Sequence, residues 1–240
     1  MENDGTHAAD NYQYWVPNLE TISVPTIIKT GDTCKIPACF LDWSFENAGA
    51  IGHSNFTNVD LTGLEQATEI GSHFVKNTNL MKKIDLKPLS NVTKVGTYFL
   101  GYNHSLTTLY LSAMKKLETI EGALLEKSTK IKSIDLTALS KMKTIPGQFM
   151  LGCDGLEIAD FSNFVNLGSE SSEGIQGRFM AYCSGLKVLY LPNKDPNTYT
   201  IVSGELLQNV PTSCVIHCGD YLQQYKSHDV WKKWSGQMVK

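Results

Sequence analysis

From residue 56 onward the apolar positions of the chain recur on a fixed interval. A six-residue pattern, apolar-x-x-apolar-x-apolar, reads FTNVDL at 56–61, MKKIDL at 81–86, LTTLYL at 106–111, IKSIDL at 131–136 and LEIADF at 156–161, each start 25 residues after the last. LETISV at 19–24 precedes these copies, LKVLYL at 186–191 follows a longer step, and SCVIHC at 213–218 is a degenerate final copy. Apolar side chains at positions four and six, with an outward residue between them, describe a short half-buried strand. One such strand cannot bury its apolar face alone, whereas stacked copies share a continuous core.

A second pattern lies eleven residues ahead of each copy from 81 on: Ile or Val, a small residue two later, then Phe or Leu. It reads IGSHF (70–74), VGTYF (95–99), IEGAL (120–124), IPGQF (145–149), IQGRF (175–179) and VSGEL (202–206), with IPACF (36–40) upstream. The small residue, Gly147 and Gly177 in the two best-matched copies, is expected to permit a tight corner, and the Phe to fill the core. Leu139, Met142 and Ile145, spaced by three, line the opposite wall. No amphipathic helical pattern survives within a repeat, so the back is predicted as turns, 3-10 pieces or short second strands. Eight residues past the Ile or Val stand Ser44, Thr78, Asn103, Ser128, Cys153 and Cys183. All are small and most can hydrogen-bond, which predicts a buried ladder serving the backbone groups of a turn. The predicted architecture is a repeat solenoid with little α-helix. It is a right-handed coil of about eight short parallel rungs, roughly 34 Å long at ~4.8 Å per step.

At IPGQFMLGCDGLEIADF and IQGRFMAYCSGLKVLYLP the chain resembles the leucine-rich-repeat superfamily, and specifically the bacterial BspA-like type, whose repeats carry IGxxAFxxCxxLxxIxIP. It departs in having Phe-Met or Phe-Leu where that type usually shows Ala-Phe, and in a slightly longer period. The resemblance spans residues 19–218. It implies a secreted or surface-attached protein that acts by binding, without catalysis or a cofactor.

The repeat also sets the expected domain limits. Residues 1–18 form an N-terminal segment or cap, 19–218 the solenoid, and 219–240 a Tyr- and Trp-bearing cap over the last rung. Two stretches interrupt the period. LDWSFENAGAIGHSN at 41–55 is expected to fold onto the solenoid through Trp43 and Phe45, with a partner-binding knob as the alternative. GSESSEG at 168–174 is expected to be a mobile loop.

Composition narrows the partners. The 240 residues carry a net charge of −3 and a single arginine, Arg178, so neither the basic face nor the guanidinium forks of a nucleic-acid binder are present. No apolar run approaches the roughly 20 residues of a membrane helix. The first ten residues, MENDGTHAAD, lack the features of a secretory signal, so the protein either stays inside or begins after a signal was removed.

No nucleotide-binding, hydrolase, zinc-protease, CxxC or calcium-loop motif occurs. The best metal candidate in the sequence is Cys214, His217 and Cys218, perhaps with His228, but strand alternation turns His217 outward and Cys218 inward. Both features are therefore taken as structural. Cys153 and Cys183, on adjacent rungs, are expected to be reduced and buried, because parallel Cβ vectors disfavour a disulfide. Cys34 with Cys39 and Cys214 with Cys218 are the alternative pairs. The acceptor triplets NFT, NVT and NHS (55–57, 91–93, 103–105) are discounted, because such triplets arise freely in polar turns and Asn103 sits in the ladder.

The outward strand face remains as the candidate site: Lys83, Asp85, Thr108, Tyr110, Lys132, Asp135, Ile158, Asp160, Val188 and Tyr190. Tyr110 and Tyr190 are aromatic anchors, Ile158 and Val188 an apolar patch, and the Lys and Asp residues set orientation. A protein ligand, such as a host or cell-surface protein, is the expected partner. A glycan stacking on the two tyrosines is one alternative, and a scaffold that binds nothing on this face is another.

Overall fold

A computed structural model of the protein describes residues 21–24, 34–42, 57–78, 80–202 and 204–240. The segment 1–18, together with Trp43, Phe45 and most of the insert at 41–55, lies outside these described residues.

The repeats form a parallel β-solenoid with two strips of short strands. One strip holds the six-residue pattern. Thr21–Ser23 pairs with Asn58–Asp60, and Thr108–Tyr110 with Ser133–Asp135. Ile158–Asp160, Val188–Tyr190, Val215–His217 and Met238–Val239 then make a four-stranded sheet in that order. The other strip holds the Ile or Val of the second pattern. Lys35–Ile36, Glu69–Ile70, Lys94–Val95 and Thr119–Ile120 pair in sequence, and Thr144–Ile145 pairs with Gly174–Ile175, which Ile201 bridges. A 3-10 turn follows several strands of the first strip, at Thr62–Leu64, Leu111–Ala113 and Thr137–Leu139. Among the described residues α-helix is confined to Leu222–Ser227.

One expected strand is missing. Residues 81–86 keep their core side chains, with Met81, Ile84 and Leu86 buried, but form no ladder. The Thr107 amide donates to Lys82 O at 3.2 Å, too little pairing to make a strand.

The core fills the coil from end to end. Phe74 stacks between Phe40 and Phe99, with ring centroids 5.5 and 5.3 Å apart, so the Phe of successive corners forms a column. Leu124 takes the next corner, and beyond it the corner rings of Phe149 and Phe179 both meet Phe161, which also packs on Phe164, all fully buried. Each such phenyl contributes about 1.5–3 kcal/mol of transfer free energy.

The corner differs from the expectation for Gly147 and Gly177. Neither adopts a left-handed backbone, and Cβ atoms there would approach Gly177 O at 3.2 Å and Gly204 O at 3.4 Å. The left-handed residue is the next one, three past the Ile or Val. It is Cys39, His73, Tyr98, Ala123, Gln148, Arg178 and Glu205 in successive repeats, with φ between 43° and 63°. Such backbone costs a non-glycine residue about 1–2 kcal/mol. The cost is offset because the twisted amides reach the next coil: His73 N donates to Thr97 O, Gln148 N to Gly177 O and Arg178 N to Gly204 O, at 2.7–3.1 Å. Glycine is required two places before the left-handed residue, at Gly71, where a Cβ would lie 2.5 Å from Ala38 N.

The insert at 168–174 is tied down at both ends. Gly168 N and Gly174 N both donate to Lys143 O, Thr200 N donates to Gly168 O, and Glu173 pairs with Lys143 at 3.3 Å. The C-terminal tail packs Tyr225 and Trp231 into the core and then adds the strand Met238–Val239. Tyr225 OH bonds Tyr199 OH at 2.7 Å and Pro192 O at 2.9 Å.

Candidate functional site

Strand register decides which outward side chains meet. Ile158, Val188 and Val215 occupy directly opposed positions on three neighbouring strands, and Asp160, Tyr190 and His217 occupy the next outward row. Ile158 is 51% exposed, Val215 38% and Val188 half-buried. The three make one aliphatic row across the sheet. Tyr190 stacks on His217, centroids 4.6 Å apart at 14°, and Val239 extends that row onto the tail strand.

Tyr110 lies apart from this group. It is 65% exposed opposite Asp135, with Thr108 opposite Ser133, on a separate pair of strands. Glu157 N donating to Lys132 O at 3.3 Å links that pair to the sheet carrying Ile158. Lys83 is exposed in the unladdered segment and Lys132 is exposed beside Ser133. Val239 is an addition to the predicted face. It lay in the tail, where the two-residue strand is too short to show a period.

The aspartates of this face have a structural task. Asp60, Asp85, Asp135 and Asp160 each accept the backbone N–H two residues on, at 2.8–3.0 Å, and so close the turn that leaves the strand. These are Asx-turns, the local competition for backbone donors that Asp side chains favour. The Thr137 hydroxyl and amide hold the Asp135 carboxyl below its ordinary range. Asp85, Asp135 and Asp160 therefore shape the strand ends, with one oxygen already engaged.

The left-handed corner column is a second display surface. Its side chains change chemistry at every step, while the flanking positions stay apolar, Ile or Val on one side and Phe or Leu on the other. Gly122, Gly147, Gly177 and Gly204 floor a groove of about 720 Å³ beside it, with Tyr98, Gln148 and the Arg178–Glu205 ion pair (2.6 Å) on its sides. At the N-terminal end of the column the His73 Nδ1 lies 2.9 Å from Asp42 Oδ2 and the His73 ring meets Tyr98 edge-on at 5.0 Å. Cys39 is exposed beside them, and burial followed by the Asp42 charge pushes its thiol up. The fourth letter of IPACF, IGSHF, VGTYF, IPGQF and IQGRF was an available signal, since it varies between Cys, His, Tyr, Gln and Arg.

Next to this column, Lys76 sits over the rings of Tyr98 and Tyr102, 4.8 and 5.0 Å from their centroids. Tyr102 OH donates to the buried Glu126 at 2.9 Å. Burial, then that hydrogen bond, pushes Tyr102 up to about 12.

The cysteine cluster near the C-terminus takes another arrangement. Cys214 and Cys218 are buried, while His217 Nδ1 faces Lys240 O at 3.0 Å and its ring stacks on Tyr190. A scan of protein-family models and a search of curated proteins find no match to the chain.

Proposed function

We propose that the chain is a non-catalytic binding protein: a leucine-rich-repeat solenoid of the BspA-like type that takes a protein ligand on its strand face. The row Ile158, Val188 and Val215 carries this reading. Aliphatic side chains on neighbouring strands, ~4.8 Å apart, give contiguous apolar surface, which singly scattered residues do not. Tyr190 stacked on His217 borders the row, and the Lys187–Glu157 ion pair (2.7 Å) flanks it with charge. An apolar centre with a charged rim suits a protein partner, the centre for affinity and the rim for orientation. The resemblance of the repeats to BspA-like sequences supports a protein that works at the cell surface or outside the cell.

The glycan reading needs a line of exposed coplanar rings. Tyr190 is covered on one face by His217, and Tyr110 stands on a different strand pair, which favours protein over sugar. A scaffold role would leave this row without a ligand.

The test uses a ligand recovered on the wild-type protein from surface extracts. Ile158→Lys with Val188→Lys should weaken its binding at least tenfold while leaving the melting temperature close to wild type, and hydrogen exchange should show protection at 158–160, 188–190 and 215–217. Undiminished binding by the double variant, or protection confined to the tail, would reject the strand face.

A further inference from the structure

We propose that Cys39, Asp42 and His73 form a zinc site joining two successive coils of the solenoid. Their ligand atoms, a thiol sulfur, a carboxylate oxygen and a ring nitrogen, all lie within 4.8 Å of one another. Thiolate, imidazole and carboxylate are the donors zinc takes in proteins, at about 2.3, 2.0–2.1 and 2.0–2.2 Å respectively. Tetrahedral bonds of these lengths hold donor atoms about 3.3–3.6 Å apart, so small side-chain rotations from separations within 4.8 Å close the three on one ion. This mixed soft and borderline set selects zinc over magnesium or calcium, which take oxygen.

The backbone brings the three together without help from a metal. Cys39 and Asp42 belong to one turn, closed by Asp42 N donating to Cys39 O at 3.2 Å. Cys39 N donates to Ser72 O at 2.8 Å, which sets the Cys39 corner beside His73 although 34 residues separate them in sequence. Cys39 and His73 share the left-handed position of their repeats, φ 60° and 63°, and so project from equivalent points of adjacent coils. Tyr98, the next member of the column, meets the His73 ring at 87° and limits its rotation. The Asp42 side chain is 9% exposed and that of His73 32%, so the cluster is partly shielded from bulk water yet reachable by an ion.

Cys39 also stands apart from the other cysteines. Cys153 and Cys183 donate to buried carbonyls, whereas Cys39 is the exposed cysteine among the described residues and stands in a column that displays side chains. Three protein donors leave a fourth tetrahedral position for water or for a group from a bound molecule. Ligation replaces the His73–Asp42 hydrogen bond with two metal bonds and releases the Cys39 thiol proton.

Zinc or cobalt added to the metal-free full chain should bind one ion per chain, and cobalt should give a thiolate-to-cobalt absorption band. Cys39→Ser, Asp42→Asn and His73→Asn should each weaken binding at least tenfold. Asparagine is chosen at 73 because it tolerates left-handed backbone. Cys214→Ser should bind as wild type does. If the variants fail to fold, alkylation of the wild-type protein decides: zinc should shield Cys39 and leave labelling of Cys34 and Cys214 unchanged. Binding that survives Cys39→Ser, a band lost with Cys214→Ser, or equal Cys39 labelling with and without zinc would overturn the site.

Discussion

The hydroxyl of Ser128 donates to the carbonyl oxygen of Leu100 at 3.1 Å, with both residues fully buried. The same bond recurs along the coil in other chemistries. Asn103 Nδ2 donates to Val75 O at 2.8 Å, Cys153 Sγ to Leu125 O at 3.1 Å and Cys183 Sγ to Met150 O at 3.0 Å. Asn103, Ser128, Cys153 and Cys183 thus each serve an inward-turned carbonyl of the preceding coil, while Thr78 donates to the Asn103 side chain of the next. A buried carbonyl without a donor is costly, which favours Thr, Asn, Ser or Cys through the middle coils, whereas the last copy, VSGEL, has Val210 at this place.

The ladder should rank by donor strength. Ser128→Ala strips Leu100 O of one of its two side-chain donors, Asn103 Nδ2 remaining, and strands the buried Asn103 N, so a loss of about 1–3 kcal/mol is expected. Cys153→Ser exchanges a weak donor for a stronger one in nearly the same volume and should stay within about 1 kcal/mol of wild type. Urea unfolding checks the order. A larger loss for Cys153→Ser would contradict the ladder.

Core and face should also separate. Phe149→Ala opens a cavity between Phe161 and the corner column and should cost about 3–5 kcal/mol. Tyr110→Ala, on the exposed strand face, should cost no more than about 1 kcal/mol. Equal melting temperatures would show that the faces have been assigned wrongly.

Thiol accessibility gives a third check. All six cysteines are free. Burial pushes Cys183 up to about 12 and Cys153 well above its ordinary value. Native metal-free protein should therefore react with an aromatic disulfide reagent first at Cys39, and at Cys153 and Cys183 only on unfolding. Reductant should leave the melting temperature unchanged. A fall of roughly ten degrees, the scale of a few kcal/mol, would reveal a disulfide.

Alkaline pH should destabilise the protein through its tyrosines. Tyr102 is raised to about 12, and burial raises Tyr199 and Tyr225 as well. A raised folded value means that the stabilisation is complete below the unfolded tyrosine value of about 10 and is lost as pH climbs through the folded values. Stability should be flat from pH 8 to 9 and fall between about 10 and 12. Tyr102→Phe should shallow that fall, and an identical alkaline slope in this variant would remove Tyr102 from the account.

What sequence determined here is what each coil repeats for itself. The strand pattern at 106–111, the corner at 145–149 and the ladder through Asn103, Ser128 and Cys153 are legible because every rung buries its own positions, so the period is written locally. Residues 81–86 satisfy the same pattern yet form no ladder, since a strand also needs hydrogen bonds from its neighbours. The tail strand at Met238–Val239 is two residues long, shorter than any period can show.

Only the tertiary structure decided which outward side chains meet. The motif alignment already put Ile158 and Val188 on one face. Strand register sets them and Val215 directly opposite one another, adds Val239 through His217 and leaves Tyr110 on a separate pair of strands. The meeting of Cys39 with His73 is further from view. It depends on Cys39 N finding Ser72 O across an irregular coil, and on a left-handed backbone that turns both side chains the same way. Periodicity records which residues are buried within a rung; stacking height and backbone handedness, which are set by contacts between rungs, determine what their exposed neighbours touch.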